Sequence, residues 1–201
     1  MSILNPIYSS VVIDYLYSQF HQDPTIGIAC LYADYRDKDG QILVNILGSI
    51  LHQLLTTTTE PIPEEVIKKL QDLQNRRDKL GIDGCLALLK IQLCQLKYAF
   101  ICIDAIDELE EKVRLKLLNI LKELCTQNIR LFLTGRHHVE SEVQKRLQAA
   151  QKYSVVISAS QQDIEIFLRQ QMIDDFYMED AMDEMLERDI IDTIVKKSQG
   201  M

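Results

Sequence analysis

The sequence lacks the long apolar runs and the leader segment that would assign it to a membrane or to export. Its 201 residues contain no apolar stretch near the roughly 20 residues that span a bilayer, and runs such as Tyr98–Ile103 are far shorter. No basic start precedes an apolar run and a small-residue cleavage site, so we expect no secretory signal. These absences predict a cytoplasmic protein with no membrane partner.

Positive charge is also scarce. The chain carries 22 Lys and Arg residues against 30 Asp and Glu residues, which gives a net charge of -8. Sequence-independent binding to the phosphate backbone of a nucleic acid needs a positive surface, so we expect no nucleic-acid partner. The segment Asp163–Asp192 concentrates the acids, with Arg169 and Arg188 as its only bases. That segment is either a solvated acidic face or a docking surface for a basic partner.

Paired cysteine motifs are missing as well. The five cysteines are odd in number and include no C-x-x-C pair, which argues against a disulfide or zinc framework. We therefore expect reduced thiols, buried or half-buried, in a reducing compartment such as the cytosol. The cysteines are Cys30, Cys85, Cys94, Cys102 and Cys125.

What is present is an alternation of short apolar runs and amphipathic segments. Hydrophobic residues make up 47% and charged residues 26% of the chain, as in ordinary globular proteins. Short apolar strands that alternate with helices predict an α/β fold, with a mostly parallel sheet of about four strands covered by helices. Strands are predicted at 26–35, 98–104, 129–134 and 153–157, and helices at 9–20, 41–55, 63–80, 83–96, 110–125, 139–150, 161–173 and 179–197.

Three acids follow the second predicted strand. Apolar residues run directly into Asp104, and Asp107 and Glu108 come next. Ligands of an open parallel sheet bind beyond the carboxyl ends of its strands. A carboxylate at Asp104 can hold magnesium, and an acid three or four positions later can orient or deprotonate a water molecule aimed at a phosphate. The alternative is a solvated turn whose acids begin a helix.

The third predicted strand adds a threonine and an arginine. Thr134 lies at the end of this strand and Arg136 follows it. If the second and third strands are neighbours, Arg136 can reach the charge around Asp104 and sense a terminal phosphate. The alternatives are an arginine that pairs with a nearby carboxylate and a threonine that caps the strand end. We expect His137 and His138 to be exposed loop residues.

Together these segments resemble the NACHT class of signal-transducing P-loop NTPases, the STAND switches. More narrowly, they resemble the nephrocystin-like N-terminal domain that is abundant in fungal proteins, where ankyrin, WD40 or tetratricopeptide repeats typically follow it. The resemblance covers nearly the whole chain. It rests on the second strand (28–37), the helix ending in a leucine-glutamine-leucine motif (46–55), the Walker B segment (100–109), the sensor strand (131–136) and the closing helices (163–172 and 190–201).

The resemblance implies a three-layer P-loop NTPase-like sandwich and a role for each strand-end residue. Asp104 corresponds to the magnesium-side Walker B acid, and Asp107 and Glu108 correspond to the catalytic-side acids. Thr134 and Arg136 correspond to the sensor contacts with the nucleotide. Intact members of the class bind Mg-ATP or Mg-GTP.

The sequence departs from this family at the phosphate loop. The pattern G-x-x-x-x-G-K-[ST] does not occur in the 201 residues. The family's Gly-Lys-Thr falls on Leu4, Asn5 and Pro6, which supply no cation, and proline has neither an N–H nor a hydroxyl. Ser9 still matches the helix that follows the loop, and Gly135 replaces the usual serine of the sensor strand. We therefore expect vestigial Walker B acids, no bound cofactor and no enzymatic activity.

These departures predict a partial domain over residues 1–201. It would start after the phosphate loop and end before any winged-helix or repeat region, and its sheet would lack the first strand. The predicted function is a degenerate or truncated signalling module that acts through protein interaction. The alternative is a fragment of an active ATP- or GTP-dependent switch whose phosphate loop is missing from this gene model.

The missing strand also predicts an exposed sheet. Its absence should leave a gap between the strands at 98–104 and 129–134, or make these two strands pair directly. A gap would expose apolar side chains of residues 100–103 and 131–133. Exposed strand edges invite association, so we expect protein partners and self-association through the sheet.

Overall fold

The computed structural model describes residues 4–37, 40–57, 61–124, 128–148, 153–156, 161–174 and 183–198. These residues form two compact units, residues 1–151 and residues 152–201. The first unit contains the strands, and in the described residues the second unit contains two helices.

The sheet of the first unit has three parallel strands in the order β1-β2-β3. They are β1 (Ile26–Tyr32), β2 (Tyr98–Asp104) and β3 (Ile129–Leu133). Because the strands are parallel, their carboxyl ends meet at one edge of the sheet. This arrangement confirms the predicted α/β class and its first three strands. Of the two predicted outcomes, a gap or direct pairing, the structure has direct pairing. β2 and β3 pair from Ala99↔Ile129 to Ile103↔Leu133.

The helices of the two units follow the predicted pattern, with small shifts at their ends. The prediction for the third helix ran to residue 80, but the helix ends at Arg76 because Arg77 adopts a left-handed backbone, with φ 56°. The helices are α1 (Leu4–Phe20), α2 (Leu43–Thr56), α3 (Glu64–Arg76), α4 (Ile82–Gln95), α5 (Glu111–Leu124), α6 (Glu140–Arg146), α7 (Gln161–Asp174) and α8 (Glu184–Ser198).

One face of the sheet carries the main hydrophobic core. Strand side chains alternate between faces, so Ala29, Ile101 and Leu131 all point to the same side. The apolar rows of α2, α4 and α5 cover that side. The core includes fully buried residues such as Leu47 and Leu117.

The opposite face is covered by α1. Ile13 and Leu16 of this helix form a second buried cluster with Ile28 and Cys102 of the strands. The rings of Phe20 and Phe100 stack beside them, with centroids 5.3 Å apart and an interplanar angle of 17°. Helices thus lie on both faces of the sheet, which gives the predicted three layers.

The outer edge of β1 is closed by a side chain of α2. Gln53 Nε2 donates to the carbonyl of Cys30 at 2.8 Å, and Gln53 Oε1 accepts from the N–H of Cys30 at 2.8 Å. The amide therefore takes the place of a neighbouring strand at this position. It also explains the glutamine of the leucine-glutamine-leucine motif, because an apolar residue at this position would leave both backbone groups of Cys30 without these bonds.

The predicted fourth strand is wrong for the part that is described. Residues 153–156 form no strand and belong to the second unit. Tyr153 is 87% exposed and Val156 is 78% exposed. An apolar run forms a strand only if a neighbouring strand satisfies its backbone. Among the described strands, none pairs with residues 153–156. Residue 157 lies outside the described part of the chain.

The second unit contains the helices α7 and α8, which contact each other. Arg169 of α7 forms an ion pair with Glu187 of α8. The prediction for the last helix began at residue 179, whereas α8 begins at Glu184, and residues 179–182 lie outside the described part. Among the helices that the structure describes in either unit, none combines the length and the apolar character needed to cross a bilayer.

Candidate functional site

The candidate site lies at the edge where the carboxyl ends of the strands meet. Asp104 is the last residue of β2, and Thr134 follows β3 directly. Thr134 Oγ1 donates to Asp104 Oδ1 at 2.5 Å. The predicted placement of Asp104 and Thr134 at one edge is therefore confirmed, while their roles toward a nucleotide stay predictions.

Ser9 of α1 completes the surroundings of Asp104. The Ser9 hydroxyl also donates to Asp104 Oδ1, so one carboxylate oxygen accepts two hydroxyl groups. Ser9 is fully buried and Asp104 is only 6% exposed. In the sequence, Ser9 served only to match α1 with the helix that follows the family's phosphate loop. The available signal was its spacing, because Ser9 shares a helix face with Ile13 and Leu16 and is the polar member of that face.

Thr134 also holds the turn that follows β2. Ala105 has a left-handed backbone with φ 53° and ψ 47°, a conformation that costs a residue with a Cβ about 1–2 kcal/mol. The N–H of Ala105 donates to Thr134 Oγ1 at 2.9 Å, and the N–H of Ile106 donates to the carbonyl of Thr134 at 2.9 Å. This turn is therefore fixed by the end of the neighbouring strand.

Asp107 and Arg136 contact each other beside this turn. Asp107 Oδ1 accepts the backbone N–H of Arg136 at 3.1 Å, and Asp107 Oδ2 lies 3.4 Å from Arg136 Nε. The side chain of Asp107 is 4% exposed, whereas that of Arg136 is 54% exposed. Of the two alternatives for Arg136, the structure contains the pairing with a nearby carboxylate.

Glu108 joins the loop after β1 to this cluster. Glu108 Oε2 accepts the N–H of Tyr35 at 3.3 Å, and Glu108 Oε1 lies 3.9 Å from Arg136 Nη2. In the same loop the guanidinium of Arg36 hydrogen-bonds Asp34 and lowers the pKa of that carboxyl to about 2. Neither this ion pair nor the contact of Tyr35 follows from a strand-end pattern, so neither could be predicted from the sequence.

Gly135 fits the space between these groups. A Cβ at this position would lie 3.1 Å from Ile106 Cγ2, 3.1 Å from Val139 Cγ2 and 3.3 Å from Asp107 Oδ1. These separations are tighter than ordinary van der Waals contact, so the neighbours would have to yield for a serine to fit. The departure from the usual serine therefore matches the local packing. His137 and His138, at the other side of Arg136, are exposed as predicted.

The polar groups of these residues contact one another. Asp104 Oδ1 accepts two hydroxyl groups, and Arg136 contacts Asp107 and Glu108. In the described part of the chain no group of three or more His, Cys, Asp or Glu side chains is arranged to hold a metal ion. At this edge of the sheet, these contacts connect α1, β2 and the end of β3.

Comparison with known protein families gives a match. Residues 7–136 match the family model described as Nephrocystin 3, N-terminal. The match covers 130 of the 201 residues, from α1 to Arg136, and so includes every residue of the candidate site. No curated protein and no solved structure matches the chain.

Proposed function

The chain belongs to the nephrocystin 3 N-terminal family, and from this premise we propose that it is a degenerate or truncated NACHT-type signalling module. In this proposal it acts in the cytoplasm through protein interaction and not through hydrolysis of a nucleotide. Membership of the family supports the assignment as a signalling module. The contacts around Asp104 support the part of the proposal that the chain does not hydrolyse a nucleotide.

The observation that carries the proposal is that the hydroxyls of Ser9 and Thr134 both donate to the buried carboxylate of Asp104. A magnesium ion at Asp104 Oδ1 would compete with the hydroxyls of Ser9 and Thr134, which already donate to that oxygen. Each hydrogen bond to a charged group contributes about 1.5–3 kcal/mol, and the lost bonds would have to be offset by new ligands. No glycine-rich phosphate loop in the 201 residues supplies them. The acids therefore serve best as structural links between the strand ends and α1.

This proposal predicts no response to nucleotide. We expect neither Mg-ATP nor Mg-GTP to raise the melting temperature of the chain, and we expect no hydrolysis above background. A site occupied at one hundred times its Kd would stabilise the chain by about 2.7 kcal/mol. For a chain of this size that free energy corresponds to roughly 5–10 °C, which thermal denaturation resolves easily. Replacing Asp107 by alanine should leave the absent activity unchanged.

The alternative function is an active ATP- or GTP-dependent switch whose phosphate loop lies outside these residues. It is favoured by one observation, because Asp104, Asp107, Glu108, Thr134 and Arg136 all meet at one edge of the sheet. Micromolar binding of magnesium nucleotide in titration calorimetry would establish this alternative and contradict our proposal. Loss of that binding in an Arg136→Ala variant would assign the sensor role to Arg136.

We further propose that the outer edge of β3 is the surface for self-association. Hydrogen bonds to β2 start at the carbonyl of Asn128 and end at the N–H of Thr134, so the backbone groups of Leu131 and Leu133 point away from β2. They have no partner among the described residues. The half-buried side chains of residues 131–133 lie along the same edge. An open strand edge of this kind favours pairing with a second chain.

Sedimentation velocity can test this surface with two proline variants. We expect the average mass of the wild-type chain to rise with concentration. Leu131→Pro should remove the outward N–H, which an edge strand tolerates, together with a half-buried side chain that packs on the core. It should therefore give a folded monomer of lower stability. The matched variant Phe132→Pro removes an N–H that faces β2 and should unfold the sheet. A wild-type chain that stays monomeric across the concentration series would contradict the proposed surface.

A further inference from the structure

Two cysteines face each other across β1 and β2. Cys30 and Cys102 are register partners on these neighbouring parallel strands. Both side chains point to the face that α1 covers, where they belong to one apolar group of residues. Neighbouring strands lie about 4.7–4.9 Å apart, and disulfides join residues whose Cα atoms lie about 4.4–6.8 Å apart. The backbone therefore holds this pair at a separation that a disulfide can bridge.

The two thiols also contact each other and Tyr17 of α1. Tyr17 and the two cysteines belong to the same group of packed residues. Hydrogen bonding from Cys102 and from the Tyr17 hydroxyl lowers the pKa of the Cys30 thiol, while its burial acts in the opposite direction. Cys30 is half-buried, whereas Cys102 is 1% exposed. Cys30 is thus the sulfur that a small oxidant reaches first, and Cys102 lies behind it in the core.

We propose that Cys30 and Cys102 form a reversible intramolecular disulfide when the chain meets hydrogen peroxide. The Cys30 thiolate attacks the peroxide, the O–O bond breaks, and Cys30 becomes a sulfenic acid while hydroxide leaves and takes up a proton as water. The sulfur of Cys102 then attacks the sulfur of Cys30, the S–O bond breaks and a second water leaves. Two thiols are oxidised, one peroxide is reduced to two waters, and a dithiol reductant restores the thiols.

The position of this pair connects it to the edge of the sheet. Cys30 and Cys102 lie two residues before Tyr32 and Asp104, which are also register partners. A disulfide would therefore join β1 to β2 directly beneath the strand ends. The other described cysteines lack this arrangement, since Cys85 is buried beside the carbonyl of Val44 and Cys94 is exposed on α4. The reduced thiols expected in a reducing compartment are the starting state of this reaction.

The test is oxidation of the purified chain with hydrogen peroxide, followed by mass spectrometry without reduction. We expect the intact mass to fall by two hydrogen atoms and peptide mapping to recover one crosslinked pair, which contains Cys30 and Cys102. Dithiothreitol should reverse both changes. Mapping the wild-type chain needs no variant, so this readout does not depend on whether a substituted chain folds. If both cysteines stay separately alkylable after oxidation, or if Cys30 is converted only to a sulfinic or sulfonic acid, the proposal is wrong.

Variants assign the order of the two steps. Cys102→Ser should stop the reaction at the sulfenic acid of Cys30, which dimedone traps, and Cys30→Ser should give neither product. The matched control Cys94→Ser should form the disulfide as the wild type does. Tyr17→Phe removes one hydrogen bond to the Cys30 sulfur and should slow its oxidation roughly fivefold. A disulfide yield that falls in Cys94→Ser but persists in Cys102→Ser would overturn the assignment.

Discussion

Replacing Thr134 by valine is expected to lower the free energy of unfolding by about 2–4 kcal/mol. Valine keeps the shape of the side chain but removes the hydroxyl that donates to Asp104 and accepts from the N–H of Ala105. Asp104 is 6% exposed, so its carboxylate loses a donor that water cannot readily replace. Ala105 loses the bond that helps to hold its left-handed backbone. Urea denaturation, or a melting temperature lower by roughly 4–16 °C, would measure this loss.

Thr134→Ser is the matched control for this prediction. Serine keeps the hydroxyl and loses only a methyl group, so we expect it to cost less than about 1 kcal/mol. If Thr134→Val and Thr134→Ser are equally stable, the hydroxyl does not hold the strand ends together. In that case the contacts of Asp104 could not support the structural role that we propose for the acids.

The strand-end residues were predictable because they follow from a general property of parallel sheets. Carboxyl ends of parallel strands meet at one edge, so an acid after β2 and a threonine after β3 must lie near each other once these strands pair. The sequence therefore predicted that Asp104 and Thr134 share an edge. It left two alternatives for Arg136, because an arginine near carboxylates can contact either a ligand or the carboxylates themselves.

Contacts between distant segments could not be predicted in the same way. Ser9 reaches Asp104 across 95 positions of sequence, and Gln53 closes the edge of β1 through both groups of its amide. The spacing of Ser9 places it on the buried face of α1, but spacing alone predicts neither contact, because each depends on how a helix packs against the sheet. The fourth strand failed for a related reason. Residues 153–156 are apolar enough for a strand, but a strand also needs a neighbour for its backbone.

A side chain at Gly27 is expected to destabilise the packing of β1, and the role of this glycine could not be predicted from the sequence. It lies in the buried part of β1, where a Cβ would be 2.7 Å from Leu96 Cδ1 and 2.8 Å from Leu54 Cδ2. Leu54 is fully buried and Leu96 is 5% exposed, so neither side chain can move into solvent. We expect Gly27→Val to lower the free energy of unfolding by about 3 kcal/mol through overpacking, and Gly27→Ala by about 1–2 kcal/mol.

Gly48 provides a control of opposite sign, because it is a glycine without neighbours. It lies within α2, and nothing lies within 4 Å of the position that its Cβ would occupy. Gly48→Ala should therefore raise the free energy of unfolding by about 0.5–1 kcal/mol, as alanine favours a helix interior.

A double-mutant cycle then locates the clash at Gly27. If Leu54 is the obstacle, Gly27→Val combined with Leu54→Ala should cost less than the sum of the single changes, whereas strict additivity would mean that β1 and α2 do not pack as described.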